Sequence, residues 1–106
     1  MPKYLIQGSY TDEGLKGLLK EGGSKRREAA EQSIKGLGGR LEAYYYAFGE
    51  QDFVVIADLP SNVDATALSL TANVSGTLKS RMTVLITPEE VDQATKRTVK
   101  FRPPGK

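Results

Sequence analysis

The 106-residue sequence contains no cysteine, no histidine and no tryptophan. Without cysteine there is no disulfide, thiolate nucleophile, zinc–thiolate site or iron–sulfur cluster, and the composition suits a reducing compartment. Without histidine, Ser-His-Asp and Cys-His nucleophilic systems are excluded, as are the usual base poised near neutral pH and the commonest transition-metal ligand. Chemistry is left to carboxylates, lysine, tyrosine and backbone, and no motif implies a cofactor or a metal. Long apolar runs are also missing. No segment approaches about 18 apolar residues, and Met1-Pro2-Lys3-Tyr4 is followed by no long apolar stretch, so a cytoplasmic protein without a membrane contact is expected. An excess of charge is absent too: 15 Lys and Arg against 13 Asp and Glu leave +2, too little to demand a polyanionic partner for the whole chain.

A chain of this length is one domain, able to bury roughly 60 to 70% of its unfolded surface in a single core. Lys3 to Ser9 is short, apolar-rich and ends in turn residues, which predicts a first strand. Thr11 or Asp12 can cap a helix in which Leu15, Leu18 and Leu19 share a face. Gly22-Gly23 interrupts that pattern, Ser24 can restart it as a second N-cap, and Ala30, Ile34 and Leu37 continue it to Gly38-Gly39. Two helices, or one broken helix, are expected there. Arg40 to Phe48 and Asp52 to Leu59 predict strands joined through Gly49 to Gln51 as a hairpin. Pro60 stops the second. Ser61 and Asp64 form a capping-box variant before Val63, Ala67, Leu70 and Val74, which lie four, three and four residues apart on one helical stripe. Gly76 ends that helix. Thr77 to Thr87 predicts a last strand, and Pro88-Glu89-Glu90 opens a short helix. Residues 1–97 form the expected domain, and 98–106, with Pro103-Pro104-Gly105, a basic and poorly ordered tail.

The order strand, helix, strand, strand, helix, strand is the ferredoxin-like βαββαβ pattern of an α+β fold, here with a C-terminal helix added. Right-handed crossovers put the first and third strands in the centre of a four-stranded antiparallel sheet, in keeping with the continuous apolar run Phe53-Val54-Val55-Ile56. One sheet face carries the two main helices. The other is expected to show Tyr44, Tyr46, Phe48, Phe53, Val55 and Leu85, with Arg81 and Gln7 among them. So apolar a face needs covering, which predicts a homo-oligomer, with two sheets meeting as a dimeric α/β-barrel type assembly. The alternative is that the C-terminal helix folds back over its own sheet.

Arg26 and Arg27 on a helix, Gly38-Gly39 before a strand, Phe48-Gly49-Glu50-Gln51-Asp52 at the hairpin, Val54-Val55-Ile56 after it and Leu59-Pro60 before the next helix resemble the small bacterial GYD-domain proteins. The resemblance covers about residues 3 to 95. Of the family's Gly-x-Tyr-Asp pattern, Gly49 and Asp52 match, while Gln51 stands where the aromatic is usual. The resemblance implies a ferredoxin-like α+β fold and oligomers, and no established activity, substrate or catalytic residue.

Candidate sites are few. Asp52, a carboxylate at a strand start beside aromatic rings, could act as a base or anchor a ligand; the alternative is turn chemistry, accepting backbone N–H groups or pairing with Arg40 or Arg81. Tyr44, Tyr46, Phe48, Asp52, Phe53 and Arg81 are the candidate ligand-binding set, with packing as the competing role for the rings. Gly23, Ser24 and Arg26 join backbone N–H groups, a helix start and a cation, which suits an anion, although no Walker spacing is present. Glu89, Glu90, Asp92, Asp12 and Glu13 lie at helix starts, where the dipole favours acids without any metal. Three functions follow. The first is a non-enzymatic oligomeric module binding a small hydrophobic or anionic molecule, or a protein partner, through its open sheet face. The second is a cofactor-independent enzyme acting on a hydrophobic aromatic substrate with Asp52 as base and Tyr45 or Tyr46 orienting it. The third, nucleic-acid binding through the basic tail and strand-surface cations, needs a continuous basic stripe with exposed aromatics and is the least favoured.

Overall fold

Three of the four helices in the computed structural model, which describes residues 1–106, begin at a side-chain cap. Thr11 accepts from the Gly14 N–H at the start of α1 (Asp12–Glu21), and Ser61 accepts from the Asp64 N–H at the start of α3 (Asn62–Val74). Thr87 and Glu90 form a full capping box on α4 (Pro88–Thr95). The fourth helix, α2 (Gly23–Gly36), starts directly from Gly22, whose φ of 90° only glycine adopts readily. Ser24 therefore lies inside the first turn of α2 and is not its cap. Gly22 makes two helices of the first helical region.

Strands β1 (Lys3–Tyr10), β2 (Arg40–Tyr46), β3 (Phe53–Asp58) and β4 (Leu78–Leu85) form one antiparallel sheet in the order β2-β3-β1-β4. This is a ferredoxin-like α+β fold. The pairings Ile6↔Val55, Tyr44↔Val55, Gly8↔Phe53 and Tyr46↔Phe53 place these residues on one face, the face that carries α1, α2 and α3. Tyr44, Tyr46, Phe53 and Val55 thus point toward the helices, contrary to the sequence expectation. The open face instead shows Leu5, Ala43, Tyr45, Val54, Ile56 and Leu85 at its apolar centre, with Gln7, Lys79, Arg81 and Thr83 around them. Gln7, Arg81 and Leu85 fall where expected. Phe48 belongs to neither face: it is fully exposed in the β2–β3 connection.

The reason is phase. Phe53 to Ile56 is apolar on both faces, so its own composition does not choose between them. β1 does: Tyr4 and Ile6 are buried, and Gly8 has no side chain to bury, whereas Leu5, Gln7 and Ser9 remain partly exposed. A charge cluster reinforces the choice at one end of the open face. Asp58 accepts from Lys3 Nζ at 2.9 Å and from Arg40 at 3.1 Å, and Lys3 also binds Glu42, beside the β2 bulge. The Lys3 and Arg40 partners hold the Asp58 carboxyl below the usual carboxylate range despite its burial.

The core is small. Tyr4, Ile6, Ile34, Phe53, Val55, Ala57, Leu59 and Ala65 are buried, and Leu68, Leu78 and Met82 are packed against them. Helix α3 turns Ala65, Leu68 and Ala72 inward, fixed by two polar anchors: the Tyr4 hydroxyl donates to Asn62, and Asn73 exchanges bonds with Ser80. Its Val63, Ala67, Leu70 and Val74 stripe points outward. From Ile86 to Lys106 every residue is exposed, so α4 buries no face of its own on the sheet. This segment lengthens the molecule to 56 Å and raises the radius of gyration to 17.0 Å, against about 13 Å for a compact chain of this length. No helix is long and apolar enough to cross a membrane.

Candidate functional site

The helices present small residues over the sheet centre: Gly14 and Gly17 from α1, Ala30 and Ser33 from α2, and Ala72 from α3 with Ser75 at its C-terminal cap. Gly14 allows α1 to sit directly on the α3–β4 connection, since a Cβ there would lie 1.8 Å from the Thr77 carbonyl oxygen. The Thr11 N–H donates to that same carbonyl at 3.0 Å. With so little side-chain volume between helices and sheet, the layer is left unfilled. A cleft of about 370 Å3 results, within the range of roughly 300 to 1,000 Å3 typical of small-molecule sites. Ile6, Phe53, Val55, Leu78 and Met82 make its floor, and Leu18, Ile34 and Leu68 its apolar walls.

One part of the cleft is polar. Tyr10 and Tyr44 line it, with Arg26 from the second turn of α2, and Tyr46 stands behind them with its ring centroid 5.4 Å from that of Tyr44. The Tyr46 hydroxyl donates to the Gly23 carbonyl at 3.0 Å, which ties β2 to the start of α2 and so positions Arg26. Arg26 forms no ion pair with any carboxylate, although Glu13 and Glu21 of α1 also line the cleft. Burial, and then the neighbouring tyrosine hydroxyls, push Tyr44 and Tyr46 each up to about 12, and burial raises Tyr10 as well; Arg26 pulls all three back only in part. At neutral pH the Tyr10 and Tyr44 phenols keep their protons beside a guanidinium with no carboxylate partner, while the Tyr46 proton is committed to the Gly23 carbonyl. Such a pole accepts a carbonyl, carboxylate or phenolate oxygen on an otherwise apolar molecule.

The model of the family described as the GYD domain matches residues 4–95, nearly the whole of this chain. The chain belongs to the GYD domain family. No curated protein and no solved structure matches it significantly. The GYD hairpin is held by backbone and by one carboxylate. Asp52 Oδ2 accepts from the Tyr10 N–H at 2.8 Å, the Asp52 N–H donates to the Gly8 carbonyl at 2.8 Å, and its carbonyl accepts from Ala47 at 2.9 Å. Asp52 therefore fastens the end of β1 to the hairpin and does not line the cleft. Arg40, considered as a partner for it, is bound to Asp58, and Arg81 lies on the open face.

Of the residues singled out from this GYD sequence, Tyr44, Phe53 and Arg26 come together in the cleft, with Tyr46 and Gly23 adjoining through one hydrogen bond. Phe48, Asp52, Arg81 and Ser24 do not. Tyr10, Leu68 and Met82 were missed. Tyr10 was the most accessible of these, because it continues the Tyr4, Ile6, Gly8 alternation of β1 onto the helix side. The basic tail is exposed throughout.

The tyrosine cluster predicts an alkaline limit. Tyrosines whose folded pKa is raised bind their protons longer in the native state than in the unfolded chain. Stability is then complete below the unfolded value of about 10 and is lost as pH rises through about 12. Ultraviolet titration of phenolate should show Tyr44 and Tyr46 ionising late and together with unfolding. Ionisation of Tyr44 and Tyr46 near the ordinary value in the folded protein would contradict this.

Proposed function

We propose that this GYD domain protein is a homodimeric module that binds a small, mainly apolar molecule carrying an oxygen acceptor, in the cleft between its helices and its sheet. The observation that carries the reading is the cleft itself, with apolar floor and walls and Tyr10, Tyr44 and Arg26 gathered at one side. The ligand enters from the helix side. The open face serves assembly: β3 is apolar on both faces, as strands covered on both sides are, and the apolar centre with a polar and charged rim resembles the anatomy of protein interfaces. The exposed C-terminal segment, with Val91, Val99 and Phe101 uncovered, adds a second surface available to a partner subunit.

An enzymatic role for Asp52 as a base lacks this support, because its carboxylate is occupied by a backbone N–H and lies outside the cleft. Binding without proton abstraction is the reading the geometry favours. Octanoate, an apolar chain ending in a carboxylate, is a suitable probe, and tyrosine emission reports it directly because the chain has no tryptophan. Tyr44→Phe removes one donor and should weaken octanoate binding by about fivefold, equivalent to about 1 kcal/mol. Arg26→Gln should weaken it by about tenfold or more while leaving octanol binding nearly unchanged. Equal octanoate affinity in the wild type and both variants would overturn the proposal.

A further inference from the structure

Helix α3 has only one charged residue, Asp64, and shows solvent an apolar stripe of Val63, Ala67, Leu70 and Val74. Val63 is 78% exposed, Leu70 67% and Val74 83%. Isolated exposed apolar residues are ordinary, but these four share one face and are spaced as the seam of a helix pair. The spacing of the stripe is also the same read in either direction. Its midpoint falls between Leu68 and Ser69, and about that point Val63 is the counterpart of Val74 and Ala67 the counterpart of Leu70.

From this symmetric spacing we infer that the outer face of α3 packs antiparallel on α3 of a second copy, about a two-fold axis through the midpoint. A two-fold contact needs a self-complementary surface, and this stripe provides one: large Leu70 meets small Ala67 of the other copy twice, and the valines close both ends. Small Ala67 lets the helices approach to the usual 8 to 10 Å. The antiparallel sense also suits the charge. It sets the two Asp64 residues about 14 Å apart along the helices, nine residues at about 1.5 Å each, beyond the screening length of about 8 Å in physiological salt. A parallel pair would bring them level. A partner of opposite charge finds nothing to recognise on the stripe itself.

The stripe exposes on the order of 400 Å2, a patch of the size that marks an interaction surface. Two such patches fall short of the roughly 1,200 Å2 buried by a stable pairwise interface. The α3 contact therefore joins units already paired through their open sheet faces, making a dimer of dimers, and in that respect it rests on the assembly proposed above. Failure of either contact is separately visible. Leu70→Glu should convert tetramers to dimers and raise the concentration for half-assembly at least tenfold, whereas loss of the sheet contact should give monomers, because the α3 contact alone is too small to hold a pair.

The chain has no native cysteine, so single-cysteine variants at exposed α3 positions give an unambiguous test. Oxidising a mixture of Ala67→Cys and Leu70→Cys chains should give mainly the mixed disulfide, and Val63→Cys alone should give none. A dominant Val63→Cys homodisulfide, no cross-link in the mixture, or cross-linking of Leu70→Cys to a Phe101→Cys chain would each overturn the inference. So would an assembly mass unchanged by Leu70→Glu.

Discussion

Ile56→Glu is expected to reduce the assembly mass by half or more while leaving the fold of the single 11.5 kDa chain intact. Ile56 sits at the centre of the open face on the central strand β3, beside Leu5 and across from Ala43. In the isolated chain it is partly exposed, so a carboxylate there can reach water. In a two-fold sheet-to-sheet dimer the same carboxylate is enclosed twice, once from each subunit, with no cation at the apolar centre to pair with it. Each unpaired burial costs at least about 2 kcal/mol, and two together weaken the dimer by roughly a thousandfold. Sedimentation equilibrium of wild type and variant at equal concentration reads this directly. An unchanged mass, or a wild type that is already monomeric, would show that the open face is not the interface.

Gly8→Ala should be strongly destabilising. A Cβ on Gly8 would lie 2.3 Å from the Lys79 carbonyl oxygen, 2.6 Å from the tip of the Phe53 ring and 2.9 Å from the Ser80 Cα. Two of these three neighbours are backbone of the adjacent strand and can move only by distorting the β1–β4 pairing. The absent side chain is what lets the Phe53 ring lie across β1, 5.2 Å from Tyr10, as part of the cleft floor. We expect a loss of about 3 kcal/mol or more. Phe53→Leu in the same chain should recover only a part, since it frees the ring contact and not the carbonyl one. Gly17→Ala supplies the opposite sign. It lies inside α1 with nothing within 4 Å of its added Cβ, and should raise stability by up to about 1 kcal/mol. Urea denaturation of the four proteins separates these outcomes, and a Gly8→Ala variant as stable as wild type would contradict the packing described.

The element order was legible because its signals are local. Thr11 and Ser61 cap helices where the sequence places them, Pro88 opens α4, Gly22 breaks the first helical region, and Pro60 and Gly76 bound α3. The phase of each element was not, because phase depends on what lies across the core. In β3 both faces are apolar, and in α3 two apolar stripes compete. The stripe with larger side chains, Val63 to Val74, loses to Ala65, Leu68 and Ala72 because Asn62 and Asn73 must reach Tyr4 and Ser80 on the sheet. Polar anchors decide an orientation that hydrophobic periodicity leaves open. The cleft follows from the same choice: small residues turned inward leave space, and no sequence pattern announces an absence of volume. Tyr44 and Phe53 were therefore singled out as candidate site residues but assigned to the opposite face of the sheet from the one they occupy, where they line the cleft.

The most direct measurement is methyl chemical-shift mapping of the wild-type protein titrated with octanoate. Saturable shifts are expected at the Ile6, Ile34, Val55, Leu68 and Met82 methyls that line the cleft, while Leu5, Val54 and Ile56 on the open face stay unmoved. Shifts confined to the open-face methyls, or none at the cleft at saturating octanoate, would contradict binding in the cleft.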